Sequence, residues 1–178
     1  MKKTLFITLI LLVSLISNSF AQFKFNPDRL FFGGNLGGGF SSNSSYFDIS
    51  PLVGYRFTER FAAGIGGTYI YLSYKPIGYP SYSTNMYGGR VFGRFYITEN
   101  IFAHAEQEII NGDFFEPTGF FDVNRHTIAN SYIGGGYQSA IGSNSGAFIM
   151  ILYNLNQSYY SQQLYANPII RIGFNIGL

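Results

Sequence analysis

Side chains that could carry chemistry are concentrated in one alternating segment of this sequence. His104, Glu106 and Glu108 are spaced two residues apart, and Arg90 and Arg94 precede them along the chain. Paired carboxylates can act as the general acid and the general base of a hydrolase. Arginines facing them would instead hold both glutamates ionised. The pattern therefore favours a structural ionic cluster over proton exchange.

The second histidine, His126, opens the segment HTIANS, and Ser131 follows five residues later. A Ser-His-acid set near one membrane rim would indicate a lipase or a lipid A deacylase. No acidic residue is evidently placed to orient the ring, and the rim constellation of a barrel acyltransferase is not found either. We expect His126 to be a polar residue at a loop end, with no catalytic residue and no enzymatic activity in the chain.

Three acidic residues in one loop-like segment could suggest a calcium site. Asp113, Glu116 and Asp122 are separated by three and six residues. This spacing lacks the alternating oxygen ligands and the central glycine of an EF-hand loop, so a solvated loop is the better interpretation. The sequence contains no cysteine, which excludes thiolate metal sites. We predict neither a metal nor a cofactor.

The first 21 residues have the organisation of a signal peptide. Two lysines precede an apolar stretch from Leu5 to Ile16, and small residues follow at Ser19 and Ala21. A membrane-spanning helix needs about 20 apolar residues, so this segment is too short, and a small-x-small pattern marks a cleavage site. We expect cleavage after Ala21, with residues 22–178 forming one exported domain.

The composition of the exported domain favours strands and excludes a nucleic-acid partner. Of the 11 basic residues, two are lysines of the signal peptide, so nine remain against nine acidic residues. A neutral chain lacks the positive field that nucleic acids attract. The full sequence has 22 Gly, 19 Phe and 15 Tyr residues, a mixture that disfavours long helices and suits strands and turns.

Apolar residues recur at every second position in eight runs of about ten residues each, which is the signature of β-strands. No stretch has the pattern of a three-turn amphipathic helix. The runs are approximately 29–40, 46–57, 61–74, 86–97, 101–110, 127–139, 146–156 and 168–178.

The connections between these runs are short at one end and mostly long at the other, which is typical of transmembrane β-barrels. A soluble, lipocalin-like carrier would have the opposite faces buried and would not explain this asymmetry. We therefore predict an all-β, eight-stranded, antiparallel up-and-down transmembrane β-barrel. The short connections are 58–60, 98–100 and 140–145, with 41–45 also short at the other end. The long ones are 75–85, 111–126 and 157–167.

The alternation continues to the end of the chain. Because a closed barrel has no edges, the last strand must pair with the first and cannot fray. We predict a lipid-facing assembly strand with apolar side chains at Ile170, Ile172, Phe174, Ile176 and Leu178.

Three segments carry a family resemblance: ISPLVGYRFTERFAAGIG, GGRVFGRFYITENIFAHAE and NPIIRIGFNIGL. They resemble the small eight-stranded outer-membrane β-barrel proteins of Bacteroidota, whose barrel is similar to that of OmpX. The resemblance implies an outer-membrane location, contact with outer-membrane lipid, and insertion by the barrel-assembly machinery, which reads the last strand. Many such strands end in Phe, whereas this one ends in Leu178. The resemblance implies no defined chemistry, and we expect a monomer.

The turn at 98–100 sets the pairing of the fourth and fifth strands. It places three pairs opposite each other on the inner face: Arg94 and His104, Phe92 and Glu106, and Arg90 and Glu108. Glu106 is then diagonal to both arginines and within reach of their side chains. We predict an ionic cluster in the lumen that includes Asp48, Arg56, Arg90, Arg94, His104, Glu106, Glu108 and Arg171.

Pro51 lies in the middle of a predicted strand. Proline cannot donate to the ladder, so a bulge or a lost hydrogen bond is expected there.

Gly33-Gly34 and Gly37–Gly39 do not form a nucleotide loop, because no helix follows to supply its N-terminus. They are expected to relieve crowding in a narrow barrel.

Three functions compete on this evidence. The first is a structural or surface-interaction protein that contacts an unknown extracellular partner through aromatic-rich loops. The second is a small pore or transport accessory, although side chains fill the interior of an eight-stranded barrel. The third is a lipid-modifying enzyme at the rim. The loop aromatics can form contact surfaces or pack on each other: Tyr79, Tyr82, Phe114, Phe115, Phe120, Phe121, Tyr159, Tyr160 and Tyr165.

Overall fold

The computed structural model describes residues 25–40, 44–75, 81–117, 122–142 and 144–177. In these ranges eight strands pair with their neighbours in chain order, all antiparallel, and the first strand also pairs with the last. The predicted eight-stranded antiparallel barrel is thereby confirmed. The predicted signal peptide and Leu178 lie outside the described residues. The strands are β1 (Leu30–Phe40), β2 (Ser44–Arg56), β3 (Phe61–Tyr74), β4 (Tyr82–Tyr96), β5 (Ile101–Phe115), β6 (Val123–Ala140), β7 (Ser145–Asn154) and β8 (Ile169–Ile176).

Side-chain alternation along each strand separates an inner from an outer face. On β8, Arg171 and Asn175 are 4% and 0% exposed, whereas Ile170 and Phe174 are 64% and 47% exposed. The outward orientation predicted for the last strand is therefore present up to Ile176. The two ends of the barrel differ. The turn end carries 57–60 and 97–100, and the loop end is the one at which β3, β5 and β7 finish and β4, β6 and β8 begin.

Three strands extend further at the loop end than the hydrophobic pattern indicated. β4 begins at Tyr82, β5 continues to Phe115, and β6 begins at Val123. The long loops predicted at 75–85 and 111–126 are therefore wrong in their bounds. The added segments are rich in Asn, Gly and Asp, which weaken strand propensity, but cross-strand pairs such as Asn111 with Thr127 continue the ladder.

The third long connection contains a short helix, α1 (Tyr159–Leu164). The Ser158 side chain caps it by accepting a hydrogen bond from the backbone N–H of Ser161. Six residues are too few to show helical periodicity in the sequence. Among the helices of the described ranges, none is long and apolar enough to cross a membrane.

Pro51 interrupts the ladder between β2 and β3. Pairing runs to Ile49 and Tyr69, stops, and resumes with Leu52 and Gly66. The register is the same on both sides of this gap, so no residue is inserted. Of the two predicted outcomes, the structure has the lost ladder bond and not the bulge.

Inner-face glycines allow large side chains or neighbouring backbone to approach closely. A Cβ at Gly54 would overlap the ring of Phe31, and one at Gly134 would overlap the carbonyl oxygen of Ile151. Of the glycines singled out in the sequence, a Cβ at Gly33 would overlap the Phe174 carbonyl oxygen and one at Gly34 would lie 2.7 Å from the Ser50 carbonyl oxygen, whereas one at Gly37 would have its nearest contact at 3.5 Å. The prediction that glycine relieves crowding is therefore confirmed at Gly33 and Gly34 and not at Gly37.

Candidate functional site in the lumen and at the loop end

The pairing of β4 with β5 places the predicted cluster. The Ile97 N–H donates to the Ile101 carbonyl oxygen at 2.9 Å across the 98–100 turn. Arg94 then lies opposite His104, and Arg90 opposite Glu108. The predicted register is confirmed over the whole of this strand pair.

Glu106 is the centre of the ionic cluster. Its carboxylate accepts a hydrogen bond from Arg171 Nη1 at 2.6 Å and contacts His104 Nε2 at 3.2 Å. Arg90 Nη1 lies 3.7 Å from its second oxygen. The side chains in these contacts are at most 4% exposed. Two cations from opposite sides of the barrel therefore converge on one buried carboxylate.

Glu108 occupies the next inner position on β5 and has different partners. It accepts from Thr68 Oγ1 at 3.0 Å and from the Tyr132 hydroxyl at 3.4 Å, while Arg171 Nη2 lies 3.7 Å away. Arg90 donates in turn to Asn35 Oδ1 at 2.7 Å. The predicted cluster did not include Asn35, Thr68 and Tyr132. Alternation places these three residues on the inner face, but it does not give their positions along the barrel axis.

Arg94 lies in the same lumen but in an aromatic environment. Its guanidinium carbon is 4.6 Å from the Phe148 ring centre and 4.8 Å from that of Phe102. Its Nε atom lies 3.3 Å from His104 Nδ1. Cation–π contacts of this kind stabilise a buried guanidinium. Arg94 thus forms a layer on the turn-end side of the cluster, where the phenylalanine rings meet.

Asp48 and Arg56 are on the inner face but outside the ionic contacts. Asp48 accepts hydrogen bonds from Ser50 Oγ at 2.7 Å and from the Tyr46 hydroxyl at 3.2 Å. Arg56 is half-buried at the turn end, with its guanidinium 6.0 Å from the Tyr96 ring centre. Both residues have the predicted face, but they lie at other levels of the barrel.

The connection between β7 and β8 covers the loop end of the lumen. Ser161 Oγ donates to Asn130 Oδ1 at 2.6 Å. The Gln163 side chain accepts from the Phe115 N–H at 2.9 Å and donates to the Phe115 carbonyl at 3.0 Å. Tyr165, the C-cap residue of α1, is buried, with its ring centre 5.9 Å from the guanidinium carbon of Arg171. Hydrogen bonds therefore attach α1 to both β5 and β6.

A second polar cluster joins α1 to β6 at this end. Glu116 accepts from the Tyr160 hydroxyl at 3.1 Å and lies 2.6 Å from His126 Nε2. The His126 and Tyr160 rings stack with centres 4.5 Å apart. The hydrogen bond with His126 lowers the pKa of Glu116, whereas desolvation and Glu116 raise the pKa of Tyr160.

The expectation that no acidic residue orients His126 is wrong. Glu116 does so because the β5–β6 pairing and a hydrogen bond from the Glu116 N–H to the Asp122 carbonyl bring distant residues together. The serine considered with it is elsewhere: Ser131 donates to Gln107 Oε1 at 2.6 Å on the outer face. The geometry thus joins an acid and a histidine but places this serine apart from them.

The acidic residues considered for calcium have separate partners. Asp113 contacts Arg125 at 3.2 Å and accepts from Thr84 Oγ1 at 2.8 Å, while Glu116 faces His126. Within the described ranges, no group of three or more His, Cys, Asp or Glu side chains could hold a metal ion.

No family model and no curated protein matches the sequence. Among solved structures, the crystal structure of the N-terminal β-barrel domain of Pseudomonas aeruginosa OprF is similar, with a TM-score of 0.48 and 10% sequence identity. The similar region covers 83% of this chain and 96% of that chain.

Loop-end aromatic residues pack on each other in the described part of the chain. Tyr82 and Phe115 have ring centres 5.8 Å apart, and those of Phe114 and Tyr160 are 5.6 Å apart. For these residues, packing explains the aromatic content. Tyr79, Phe120 and Phe121 lie outside the described residues.

Proposed function

We propose that this protein is an integral outer-membrane β-barrel that serves as a structural and surface-interaction protein. The observation that carries the proposal is an apolar outer face around a lumen that contains buried charges. Arg90, Glu106 and Arg171 are buried inside, whereas large apolar side chains on all eight strands point outward. A continuous apolar outer face is the arrangement required in a bilayer.

The aromatic residues of the outer face support a membrane location. Such residues collect at the two membrane interfaces of a barrel. At the turn end the exposed aromatic residues include Phe57, Phe61, Phe95 and Tyr137. Toward the loop end they are Phe47, Tyr69, Tyr71, Tyr87 and Tyr153.

The contents of the lumen favour a structural role over a pore. Arg94 and the phenylalanine rings around it fill the turn-end side, and the cluster around Glu106 fills the middle. α1 and Tyr165 cover the loop end. An eight-stranded barrel has just enough interior for its own side chains, which is why we prefer a closed scaffold to a channel.

The β5–β6 hairpin provides a surface for an extracellular partner. Its pairing extends to Phe115 and Val123, whereas β4–β5 pairing ends at Asn111 and β6–β7 pairing ends at Tyr132. Beyond these points β5 and β6 pair only with each other, while Tyr82 of β4 and Gln163 of α1 contact Phe115. In this proposal the protein is a monomer without enzymatic activity, inserted by the barrel-assembly machinery and surrounded by outer-membrane lipid.

Single-cysteine labelling tests the topology directly because the natural chain has no cysteine. An even number of strands places both termini at one end, and the short turns of such barrels face the periplasm. We expect Asp122→Cys to react with a bulky impermeant maleimide on intact cells, and Glu99→Cys to react only after the outer membrane is permeabilised. The reverse labelling pattern would contradict the proposed orientation, and single-channel conductance in planar bilayers would favour the pore.

A further inference from the structure

A groove of about 580 Å³ runs along the outer face across β3, β4 and β5. Its walls include Ile65, Tyr87, Val91 and Ile109, and its floor is backbone around Gly89. Large apolar side chains thus border a depression in the surface that, under the function proposed above, faces lipid.

Glycine at position 89, on the floor of this groove, is not required by the fold. A Cβ at Gly89 would have its nearest contact at 3.7 Å, and one at its cross-strand partner Gly67 would meet nothing within 4 Å. In contrast to the inner-face glycines, these two can be replaced without a clash. The effect of Gly89 in the native chain is to leave the groove open.

An arginine lies at the loop end of the groove. The Arg125 guanidinium is 4.9 Å from the Tyr87 ring centre, and its Nε atom donates to Asn111 Oδ1 at 2.7 Å. Further contacts reach Asp113 Oδ1 at 3.2 Å and the Asn85 carbonyl at 3.5 Å. These bonds use three of the five guanidinium N–H groups. The side chain is 40% exposed, so the remaining donors are available to a phosphate, whose geometry the guanidinium matches.

A polar side chain also lies in the wall of the groove. Gln107 Oε1 accepts from Ser131, but its amide nitrogen donates to none of the described residues. An amide nitrogen in hydrocarbon is costly unless it finds an acceptor. A lipid has carbonyl oxygens between its phosphate and its chains, whereas bare hydrocarbon has none.

We propose that this groove binds the acyl chain of one outer-leaflet lipid whose phosphate contacts Arg125. The apolar walls hold the chain, Arg125 recognises the phosphate, and Gln107 donates to a carbonyl oxygen. Asp113 partly neutralises Arg125, so the expected preference for an anionic lipid over a zwitterionic one is small. The inference rests on the proposed membrane location.

Tryptophan fluorescence can test this groove because the natural chain has no tryptophan. Val91→Trp places a reporter in the wall, and Ile151→Trp places a matched control on the outer face of β7. Each variant is reconstituted in phosphatidylcholine vesicles, and quenching by brominated phosphatidic acid is compared with quenching by brominated phosphatidylcholine. We expect the anionic lipid to be preferred about threefold at Val91→Trp, the scale of an exposed ion pair, and not at Ile151→Trp.

Two further substitutions test whether the preference for the anionic lipid arises in the groove. Adding Arg125→Gln to the Val91→Trp protein should abolish the preference. Gly89→Val, which fills the floor, should also reduce it, whereas Gly93→Val on the same face of β4 should not. Heat-modifiable gel migration verifies that each variant is folded, and Ile109→Trp in the opposite wall is the second reporter if Val91→Trp does not fold.

Equal lipid selectivity at the groove and at Ile151→Trp, unaffected by Arg125→Gln, would overturn the proposed site. If the protein is not embedded in a membrane, the result is different, because neither tryptophan would be quenched by any brominated lipid. The two proposals can therefore fail separately.

Discussion

Replacing Arg171 is the sharpest test of the lumenal cluster. Arg171 is 4% exposed, and its guanidinium contacts Glu106 at 2.6 Å and Glu108 at 3.7 Å. Arg171→Met keeps much of the side-chain volume but removes the charge. The two glutamates then face one guanidinium, that of Arg90, which lies 3.7 Å from Glu106.

The expected cost follows from the charge left behind. Arg171 makes the shorter of the two guanidinium contacts of Glu106, so Arg171→Met leaves this buried carboxylate with less compensation of its charge. Stranding one partner of a buried ion pair typically costs about 3–5 kcal/mol. The matched control Gln107→Ala, on the outer face of the same β5 strand, should change the free energy of unfolding by only about 0.5 kcal/mol.

Urea unfolding of the reconstituted barrel measures this difference, with heat-modifiable migration reporting the folded fraction. The double variant Arg171→Met/Glu106→Gln restores the charge balance. It should be more stable than the sum of the two single changes predicts, by about 1–3 kcal/mol, as expected for residues in contact. The ion-paired lumen would be refuted by two results together. The free energy of unfolding of Arg171→Met would lie within about 1 kcal/mol of the native value, and the double variant would show no coupling between the two positions.

Three other changes test the seam, the packing and the loop end. Deleting residues 174–178 should abolish the folded form in heat-modifiable migration, because loss of the closing pairs exposes backbone groups to hydrocarbon; a retained gel shift would contradict this. Gly134→Ala should destabilise the barrel in urea and Gly67→Ala should not, since only the first Cβ meets backbone. The pKa of Glu116 is lowered from 4.5. Its carboxylate should therefore hold α1 through the Tyr160 hydrogen bond above pH 4.5, and this stabilisation should be lost as the pH falls through the lowered pKa. Hydrogen exchange of α1, corrected for intrinsic rates, should show this transition in the native chain and not in Glu116→Gln.

Local rules account for the features that were predicted correctly. The division of the side chains of β5 and β8 into two faces follows from alternation alone, because successive residues of a strand point to opposite faces. The pairing of Arg90 with Glu108 follows from a short turn between adjacent strands, since the turn sets the register. Neither inference requires knowledge of the rest of the barrel.

Features that depend on distant strands were not predictable in the same way. Arg171 and Glu106 are separated by 65 residues, and their contact depends on the stagger of every strand pair between them. The same reason explains why Arg56 and Asp48 have the correct face but lie outside the cluster. Glu116 was not recognised as the partner of His126 for another reason: β5 and β6 pair further than the hydrophobic pattern indicated, as far as Phe115 and Val123, which brings the two residues together.

The sequence by itself determined the strand count, the two faces and the order of pairing, because alternation and turn length are properties of neighbouring residues. The tertiary structure decided which inner residues meet, how far β5 and β6 extend, and how α1 covers the loop end. In a closed barrel the register shifts between the eight neighbouring strand pairs accumulate. Their sum sets the position of each side chain along the barrel axis, and it cannot be obtained from one strand pair alone.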